Sequence, residues 1–270
     1  METKDVTIGV VGVGSMGSAI AGGLVGSGTC AAQHVVVCDA NPACTEKMAA
    51  LGMRVASTAA ELVAQNTDVV VLAVKPQILA DVCSGFAENV ANRLVVSIAA
   101  GVAIETLEGL LQGARVVRVM PNLPIQVRSG ATAVCAGTRA TAEDVQLVCE
   151  LFSALGSAQV MREDQLDAEG AVVSCGPAYV ALFIDALTRA GILRGLPADS
   201  CREMVEATVF GVAKTLVETG EHPRSYLERV TSPGGTTAAG LREMEPYVME
   251  AAYAAVDAAL ARTAELAGSK

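Results

Sequence analysis

The sequence has no tryptophan, and only four tyrosines, four phenylalanines and two histidines occur among its 270 residues. Lysine and arginine total 19 against 29 acidic residues, the formal net charge is −10, and no basic cluster is present. A nucleic-acid-binding surface needs basic patches and usually aromatic stacking residues, so this composition argues against one. His34 and His222 are far apart and lack the spacing of metal ligands, so we expect no zinc site and no metal.

Long apolar runs and a signal-like segment are also missing. No uninterrupted apolar run reaches the roughly 20 residues that cross a bilayer. The first five residues lead directly into a strand pattern, so we expect a cytoplasmic protein with no membrane partner. Eight cysteines occur without a C-x-x-C pair, and Cys38, Cys135 and Cys149 fall in apolar segments. This pattern predicts buried or free thiols, not a disulfide framework.

Hydrophobic residues make up 52% of the chain, and the first 160 residues alternate short β-branched runs with helical segments. This alternation is typical of an α/β fold with a doubly wound parallel sheet, the Rossmann architecture, in which late edge strands can be antiparallel. The predicted strands are 6–11, 35–38, 69–73, 94–98, 116–119, 132–135 and 158–161. The predicted helices between them are 15–26, 44–50, 59–65, 77–89 and 142–155.

The strand pattern stops near residue 163, and the remaining sequence is helical and rich in alanine. Helices are predicted over 179–190, in an amphipathic run after Pro197, and over 247–267. We therefore predict a dinucleotide-binding domain over residues 1–162 and an all-helical domain over 163–270. Helices this apolar need partners, so we expect a homodimer as the minimum unit; a self-contained helical bundle is the alternative.

A glycine-rich motif follows the first strand. Gly12, Gly14 and Gly17 form G-x-G-x-x-G between a predicted strand and a predicted helix. In this context Gly12 makes a tight turn, Gly14 lets the backbone approach a pyrophosphate, and Gly17 lets helix and strand pack closely. The motif predicts a bound nicotinamide dinucleotide, and a glycine-rich turn without a ligand is the alternative. The cofactor residues predicted here are Gly12, Val13, Gly14, Ser15, Met16 and Gly17.

The second informative segment is Val230-Thr-Ser-Pro-Gly-Gly-Thr-Thr237. Proline and two glycines between predicted helices favour a tight turn whose N–H groups converge. A helix starting at Thr236 would point its positive end at the same place. The segment predicts a socket for a small anion such as a carboxylate, with hydroxyl groups beside it. A plain helix–helix loop with an N-cap is the alternative.

Three further motifs follow predicted strands: A-V-K-P at 73–76, A-A-G at 99–101 and M-P-N-L-P at 120–124. The carboxyl ends of strands form the ligand crevice of a doubly wound sheet, so all three can face the cofactor. Prolines on both sides of Asn122 stiffen that loop and position its amide for hydrogen bonding. Lys75 as a solvated loop charge and Asn122 as a turn residue are the alternatives.

The chain resembles the pyrroline-5-carboxylate reductase family over nearly its whole length. Seven motifs in register carry this resemblance strongly, although each one alone is weakly specific. They are GVGSMG at 12–17, AVKP at 73–76, VSIAAGV at 96–102, VRVMPNLP at 117–124, GPAY at 176–179, ETGEHP at 218–223 and TSPGGTT at 231–237.

The resemblance implies reduction of the cyclic imine 1-pyrroline-5-carboxylate to L-proline with NADPH or NADH, the last step of proline biosynthesis. It also implies a helical domain that interlocks with that of a second subunit, and dimers that can assemble into larger rings. The pyrophosphate would lie on residues 12–17, and Asn41 would lie near the adenosine ribose. The other residues implied to line the ribose and nicotinamide are Ala73, Val74, Lys75, Pro76, Ala99 and Ala100.

For the substrate, the resemblance implies a carboxylate on backbone N–H groups and on the Ser232 hydroxyl. Thr237 would sit close to the ring nitrogen and is the implied catalytic residue. A cyclic imine is basic enough to be partly protonated near neutral pH, so a strong acid is not required and no catalytic dyad is expected. The implied substrate-binding residues are Ser232, Gly234, Gly235, Thr236 and Thr237.

Two positions bear on the details. Leu123 stands where family members commonly carry threonine, which affects a local hydrogen bond at most. Asp39 follows the second strand, and an acid there suits the free 2′-hydroxyl of NADH and repels a 2′-phosphate. We therefore favour NADH slightly; the alternative is that Asp39 points away or caps the next helix.

Other functions remain as alternatives. Related two-domain enzymes reduce β-hydroxy acids with a lysine of the helical domain, but Lys214 is the only lysine there before the C-terminal residue. A different cyclic imine is another possible substrate. A non-catalytic dinucleotide-binding sensor would keep the glycine-rich motif but would have no reason to keep T-S-P-G-G-T-T.

Overall fold

The computed structural model describes residues 5–268, and its strands form one eight-stranded sheet. In chain order the strands are β1 (Ile8–Val11), β2 (Val35–Cys38), β3 (Arg54–Val55), β4 (Val69–Leu72), β5 (Leu94–Ser97), β6 (Arg115–Pro121), β7 (Gly130–Ala136) and β8 (Gly156–Val160). Their order across the sheet is β3-β2-β1-β4-β5-β6-β7-β8. β6 and β7 pair antiparallel, and the other neighbouring pairs of described strands are parallel.

Eleven α-helices accompany the described strands, and a π-helical segment, Gly170–Ser174, follows the seventh helix directly. The helices are α1 (Ser15–Gly26), α2 (Pro42–Ala50), α3 (Ala59–Ala64), α4 (Pro76–Ser84), α5 (Ile104–Leu110), α6 (Ala142–Ser153), α7 (Leu166–Glu169), α8 (Gly176–Ile192), α9 (Ala198–Thr219), α10 (Pro223–Arg229) and α11 (Thr236–Gly268).

The central strands β1, β2, β4 and β5 bury both of their faces. Along β2, for example, Val35 and Val37 belong to one hydrophobic cluster and Val36 belongs to another. Successive strand residues point to opposite faces, so a continuous apolar run requires helices on both sides of the sheet. This arrangement confirms the doubly wound α/β fold that the sequence predicted.

The structure also differs from the predicted elements. β3 has only two residues, both exposed, and α5 has seven residues, so neither gave a long apolar pattern. The amphipathic helix after Pro197 ends at Thr219 with Gly220 as its C-cap. Pro223 then occupies the first turn of α10, where its missing N–H costs no hydrogen bond. Pro246 lies inside α11, which continues through the break expected between the two predicted helices.

Contacts divide the chain into two compact units. The first comprises residues up to Ser174 together with the end of α11 from Arg262, and the second is Cys175–Ala261. The predicted boundary between residues 162 and 163 stays a prediction.

The second unit has almost no interior of its own. Thr188 and Cys201 are its buried residues, whereas large apolar side chains along its helices are exposed. Burial of apolar surface is the main stabilising contribution to folding, so these helices need cover from outside the unit. The exposed side chains are Val180, Leu182, Phe183, Leu187, Ile192, Leu193, Leu196, Met204, Phe210, Val217, Val230, Tyr247, Val248, Met249 and Tyr253.

One apolar helical stretch bears on the expectation of no membrane partner, which stays a prediction. Within the described residues, Glu163–Ile192 contains an 18-residue window long and apolar enough to cross a membrane, and 6% of that window is buried. A few polar residues interrupt this stretch, so its uninterrupted apolar runs are too short to cross a bilayer. The mean hydropathy of the 18-residue window is nevertheless high. Length and composition alone are weak support for a membrane span.

Candidate active site

The candidate cofactor site lies at the carboxyl edge of the sheet, between β1 and β4. At this point the order of the strands changes direction, because β2 and β3 lie on one side of β1 and β4 and β5 lie on the other. Hydrogen bonds continue the strand pairing into the loops at this edge. The Gly12 N–H donates to the Cys38 carbonyl at 2.8 Å, and the Ala73 N–H donates to the Val11 carbonyl at 2.8 Å. The loops after the first, second and fourth strands are therefore held side by side.

The three glycine positions of the motif differ in why the structure has glycine there. Gly12 has a φ of +87°, and a Cβ there would lie 2.9 Å from the Ala73 carbonyl oxygen. A Cβ on Gly17 would collide with the Gly12 carbonyl oxygen. Both positions therefore need glycine for turn geometry and close packing, as the motif predicted.

Gly14 has no such internal requirement. Its φ is −66°, and a Cβ there would meet no heavy atom of the described chain within 4 Å. It is the N-cap of α1, and no side chain caps that helix end. An open cradle in front of uncapped N–H groups fits a diphosphate, which needs close backbone approach.

Asp39 and Asn41 brace the loop that follows β2. The Val13 N–H donates to Asp39 Oδ2 at 2.7 Å, and the Asn41 N–H donates to Asp39 Oδ1 at 2.8 Å. Asn41 Oδ1 in turn accepts the Ala43 N–H at 3.1 Å and caps α2. Asp39 therefore ties the glycine loop to the start of α2, while its half-exposed carboxylate keeps further acceptor sites.

The other predicted cofactor residues lie at the same edge. Ala73 and Val74 are half-buried, exposed Lys75 occupies the N-cap of α4, and Pro76 begins that helix. Ala99 is buried just beyond β5, and its N–H donates a hydrogen bond to the Ser97 Oγ at 3.3 Å. The topology thus brings A-V-K-P and A-A-G to the ends of adjacent parallel strands; their contacts with a cofactor stay predictions.

Asn122 is engaged by the protein itself. The side chain is buried, its Oδ1 accepts the Ala131 N–H at 2.8 Å, and its Nδ2 donates to the Val173 carbonyl at 3.2 Å. These contacts join the end of β6 to β7 and to the π-helical segment. One lone pair and one N–H of the amide remain for a ligand, and the cofactor role of Asn122 stays a prediction.

The T-S-P-G-G-T-T turn lies between α10 and α11. Gly234 has a φ of +72°, the Gly235 N–H donates to the Ser232 carbonyl at 3.0 Å, and the Ala239 N–H donates to the Gly235 carbonyl at 3.1 Å. The helix therefore begins as predicted at Thr236, and the N–H groups of its first turn have no acceptor within the helix. The hydroxyl side chains Ser232, Thr236 and Thr237 are exposed around this helix end.

The cysteines form no disulfide in the structure, and five of the eight are buried. All eight cysteines are free, and burial raises the pKa of Cys30 and of Cys83 to about 11, which keeps both thiols protonated. Across the described part of the chain, no group of three or more His, Cys, Asp or Glu side chains is placed to hold a metal ion.

Two residues near this edge were not predicted. Gln126 Nε2 donates to the Ser15 hydroxyl at 3.1 Å and so supports the glycine loop from a distant part of the chain. Glu169 is buried beside the π-helical segment. Gln126 is a polar residue in an otherwise apolar stretch, which gives only a weak indication of a role at the site. Glu169 has the sequence pattern of an ordinary charged residue on a helix surface.

The doubly wound sheet with its open glycine cradle defines a nicotinamide-dinucleotide-dependent oxidoreductase. The family model described as NADP oxidoreductase coenzyme F420-dependent matches residues 7–101, and the model described as pyrroline-5-carboxylate reductase dimerisation matches residues 163–266. The pyrroline-5-carboxylate reductase of Methanosarcina acetivorans is 38% identical, with 91% of this chain and 92% of the relative covered. That of Escherichia coli is 38% identical, with 93% of each covered. The chain belongs to the pyrroline-5-carboxylate reductase family.

Solved structures agree with this membership. A pyrroline-5-carboxylate reductase from Coxiella burnetii superposes with a TM-score of 0.92 at 31% identity, covering 97% of this chain and 98% of its own. The Plasmodium falciparum pyrroline carboxylate reductase, solved with NADP bound, gives a TM-score of 0.85 at 27% identity, covering 98% and 99%.

Proposed function

We propose that this protein reduces 1-pyrroline-5-carboxylate to L-proline with a nicotinamide dinucleotide as hydride donor, the last step of proline biosynthesis. The observation that carries the proposal is the open cradle at Gly14, because no atom of the described residues lies within 4 Å of a Cβ placed there, which leaves room for a ligand. Family membership supports the substrate, and the helix end at Thr236 supplies the anion socket that the substrate's carboxylate needs.

On the cofactor side, the bound reduced nicotinamide supplies the hydride. The chain's own contribution is to bind and orient. N–H groups at the start of α1 neutralise a diphosphate, and Asp39 keeps the glycine loop in the shape that exposes them.

On the substrate side, the N–H groups of the first turn of α11 and the Ser232 hydroxyl would hold the carboxylate. This orients the ring so that the Thr237 hydroxyl forms a hydrogen bond with the imine nitrogen. Because the imine is basic, this hydrogen bond needs only to fix geometry and support the protonated form. Orientation of the reacting groups then supplies much of the rate.

The proposal is tested by measuring NADH and NADPH consumption by purified protein with 1-pyrroline-5-carboxylate, and by identifying proline as the product. Turnover with proline formation is expected. Dinucleotide binding without turnover would instead favour another cyclic imine, to be tested with six-membered analogues, or a dinucleotide-binding sensor.

Replacement of Thr237 tests the catalytic role. Thr237→Ala is expected to lower kcat by about 10-fold or more, since a lost transition-state hydrogen bond worth ~1.4 kcal/mol gives that factor. Thr237→Ser, which keeps the hydroxyl, should recover most of the rate. Wild-type kcat and KM in Thr237→Ala would show that the hydroxyl plays no part.

For the choice of cofactor, we propose a slight preference for NADH because the Asp39 carboxylate repels a 2′-phosphate. Asp39→Asn removes the charge and keeps an acceptor for the backbone, so the NADH-to-NADPH ratio of kcat/KM should fall by about 10-fold. Asp68→Asn is the matched control, because Asp68 accepts the Thr7 N–H at 2.8 Å at the opposite edge of the sheet. An unchanged ratio in Asp39→Asn would reject the role.

We also propose that the protein works in the cytoplasm as a dimer that can join into a larger ring. The dimerisation family model over residues 163–266 and the exposed apolar helices of the second unit support self-association. Light scattering on the purified protein distinguishes a dimer from a ring, and fractionation of cells tests the location.

A further inference from the structure

Glu169 is a buried carboxyl group that the proposed reaction does not use. It is the last residue of α7, its side chain lies beneath the surface, and 6% of the residue is exposed. Its Oε2 accepts the Ser174 hydroxyl at 3.4 Å, a long hydrogen bond, and its Oε1 has no hydrogen-bond partner in the described chain. A carboxylate buried with so few donors is costly, whereas a neutral carboxylic acid is tolerated.

Within the described chain, burial and the Ser174 hydrogen bond act on the pKa of Glu169, and no charged neighbour compensates its charge. Arg118 of β6, two residues before Met120, is already paired through its Nη1 with Glu163 Oε1 at 3.0 Å. Burial accordingly raises the pKa of Glu169 to about 7, and the Ser174 hydrogen bond lowers it by a smaller amount.

The π-helical segment Gly170–Ser174 begins where Glu169 ends, and it touches the M-P-N motif at two points. The Val173 carbonyl accepts the Asn122 amide at 3.2 Å. Gly170 lies against Met120, since a Cβ there would stand 3.3 Å from the Met120 Sδ. A change at Glu169 is therefore transmitted by direct contact to the end of β6, at the carboxyl edge.

We propose that Glu169 is a positioning residue whose protonated form holds the segment Gly170–Ser174 against Met120 and Asn122, and whose ionised form loosens that contact. The inference rests on the proposed function, because the edge that it positions is the candidate cofactor site. π-Helical turns are frequent at functional sites, and here two side chains form hydrogen bonds with the end of the segment, Asn122 at Val173 and Glu169 at Ser174. When Glu169 loses its proton, the carboxylate is more stable in water than in the interior. Ionisation therefore favours conformations in which the segment Gly170–Ser174 moves and Glu169 becomes hydrated.

The pH dependence distinguishes this role from simple packing. Glu169→Gln keeps the size and hydrogen-bonding groups of a neutral acid but cannot ionise. The ratio of kcat/KM in Glu169→Gln to that in the wild type should rise by about 3-fold or more between pH 6 and pH 8, with a midpoint near 7. The ratio cancels the pH dependence of substrate and cofactor, which both enzymes share. A ratio that stays constant with pH would overturn the proposal.

Stability gives a second readout that needs no activity. The pKa of Glu169 is higher in the folded protein than its ordinary value of 4.5, so the unfolded chain loses this proton first as the pH rises. The wild type therefore loses stability between about pH 4.5 and pH 7, and Glu169→Gln should be more stable than the wild type at pH 8 but not at pH 4.

Hydrogen exchange of the amides of residues 170–174 completes the test. After correction for intrinsic exchange, protection in the wild type should fall from pH 6 to pH 8, and protection in Glu169→Gln should not. If the wild type fails to reduce the imine, the proposed function fails while these measurements still judge Glu169. Equal protection at both pH values would refute the positioning role, whatever the enzyme's activity.

Discussion

Gly14→Val is expected to weaken binding of NADH and NADPH by about 100-fold or more, equivalent to ~3 kcal/mol, while the protein remains folded. The new side chain would enter the cradle where a diphosphate approaches the start of α1. A Cβ at this position has no heavy atom of the described chain within 4 Å, so we expect the fold to tolerate the substitution. Loss of dinucleotide affinity without loss of protein stability would show that the substitution acts on cofactor binding and not on folding.

Gly22→Val is the matched control for this prediction. Gly22 lies on the same helix, and a Cβ there also meets no heavy atom of the described chain within 4 Å. Calorimetry should give near wild-type dinucleotide affinity for Gly22→Val, and thermal unfolding should give similar Tm values for both variants. Equal affinity of Gly14→Val and the wild type would show that the diphosphate does not lie at Gly14.

Phe210→Asp is expected to weaken the dimer by roughly 30-fold or more and to remove most of the activity at low protein concentration, since large buried interface residues contribute about 2 kcal/mol or more. Phe210 lies in the middle of α9 with 68% of its surface exposed, in a unit whose buried residues are Thr188 and Cys201. If a second subunit covers this surface, the variant buries a charge without a partner.

The same replacement at Leu51, which is 54% exposed in the first unit, provides the control. Light scattering across a dilution series should show monomers for Phe210→Asp at concentrations where Leu51→Asp and the wild type remain dimeric. Activity of Phe210→Asp should recover as its concentration is raised. An unchanged dimer would mean that α9 presents this face to solvent.

Local patterns made much of the first unit predictable. Its strands are short β-branched runs, and the sequence order of runs and helices allows few arrangements other than a doubly wound sheet. Gly12 and Gly17 could be interpreted from the motif because G-x-G-x-x-G between a strand and a helix implies a tight turn and close packing, although the atoms that a Cβ on Gly12 would meet belong to the distant Ala73 and Val74. The start of α11 at Thr236 was predicted in the same way, from the turn residues immediately before it.

Other features depended on contacts between distant residues. Pro246 lies where the sequence predicted a break between two helices, although α11 continues through it. Asp39 looked like a ribose ligand, and the structure adds a bracing role through the Val13 N–H that no local pattern contains. Asn122 was expected to face the cofactor, and its amide also joins β7 to the π-helical segment.

The sequence by itself therefore determined the fold class, the dinucleotide motif, the helix end that can hold an anion, and the family. These features follow from short-range backbone preferences and from the order of motifs along the chain. Only the tertiary structure decided that Gly14 faces open space among the described residues, that the helical unit has almost no buried core, and that Glu169 is buried with no charged partner in the described part of the chain. Burial and hydrogen-bond partnership depend on which distant segments meet, and one residue type can be a solvated surface charge or a buried acid accordingly.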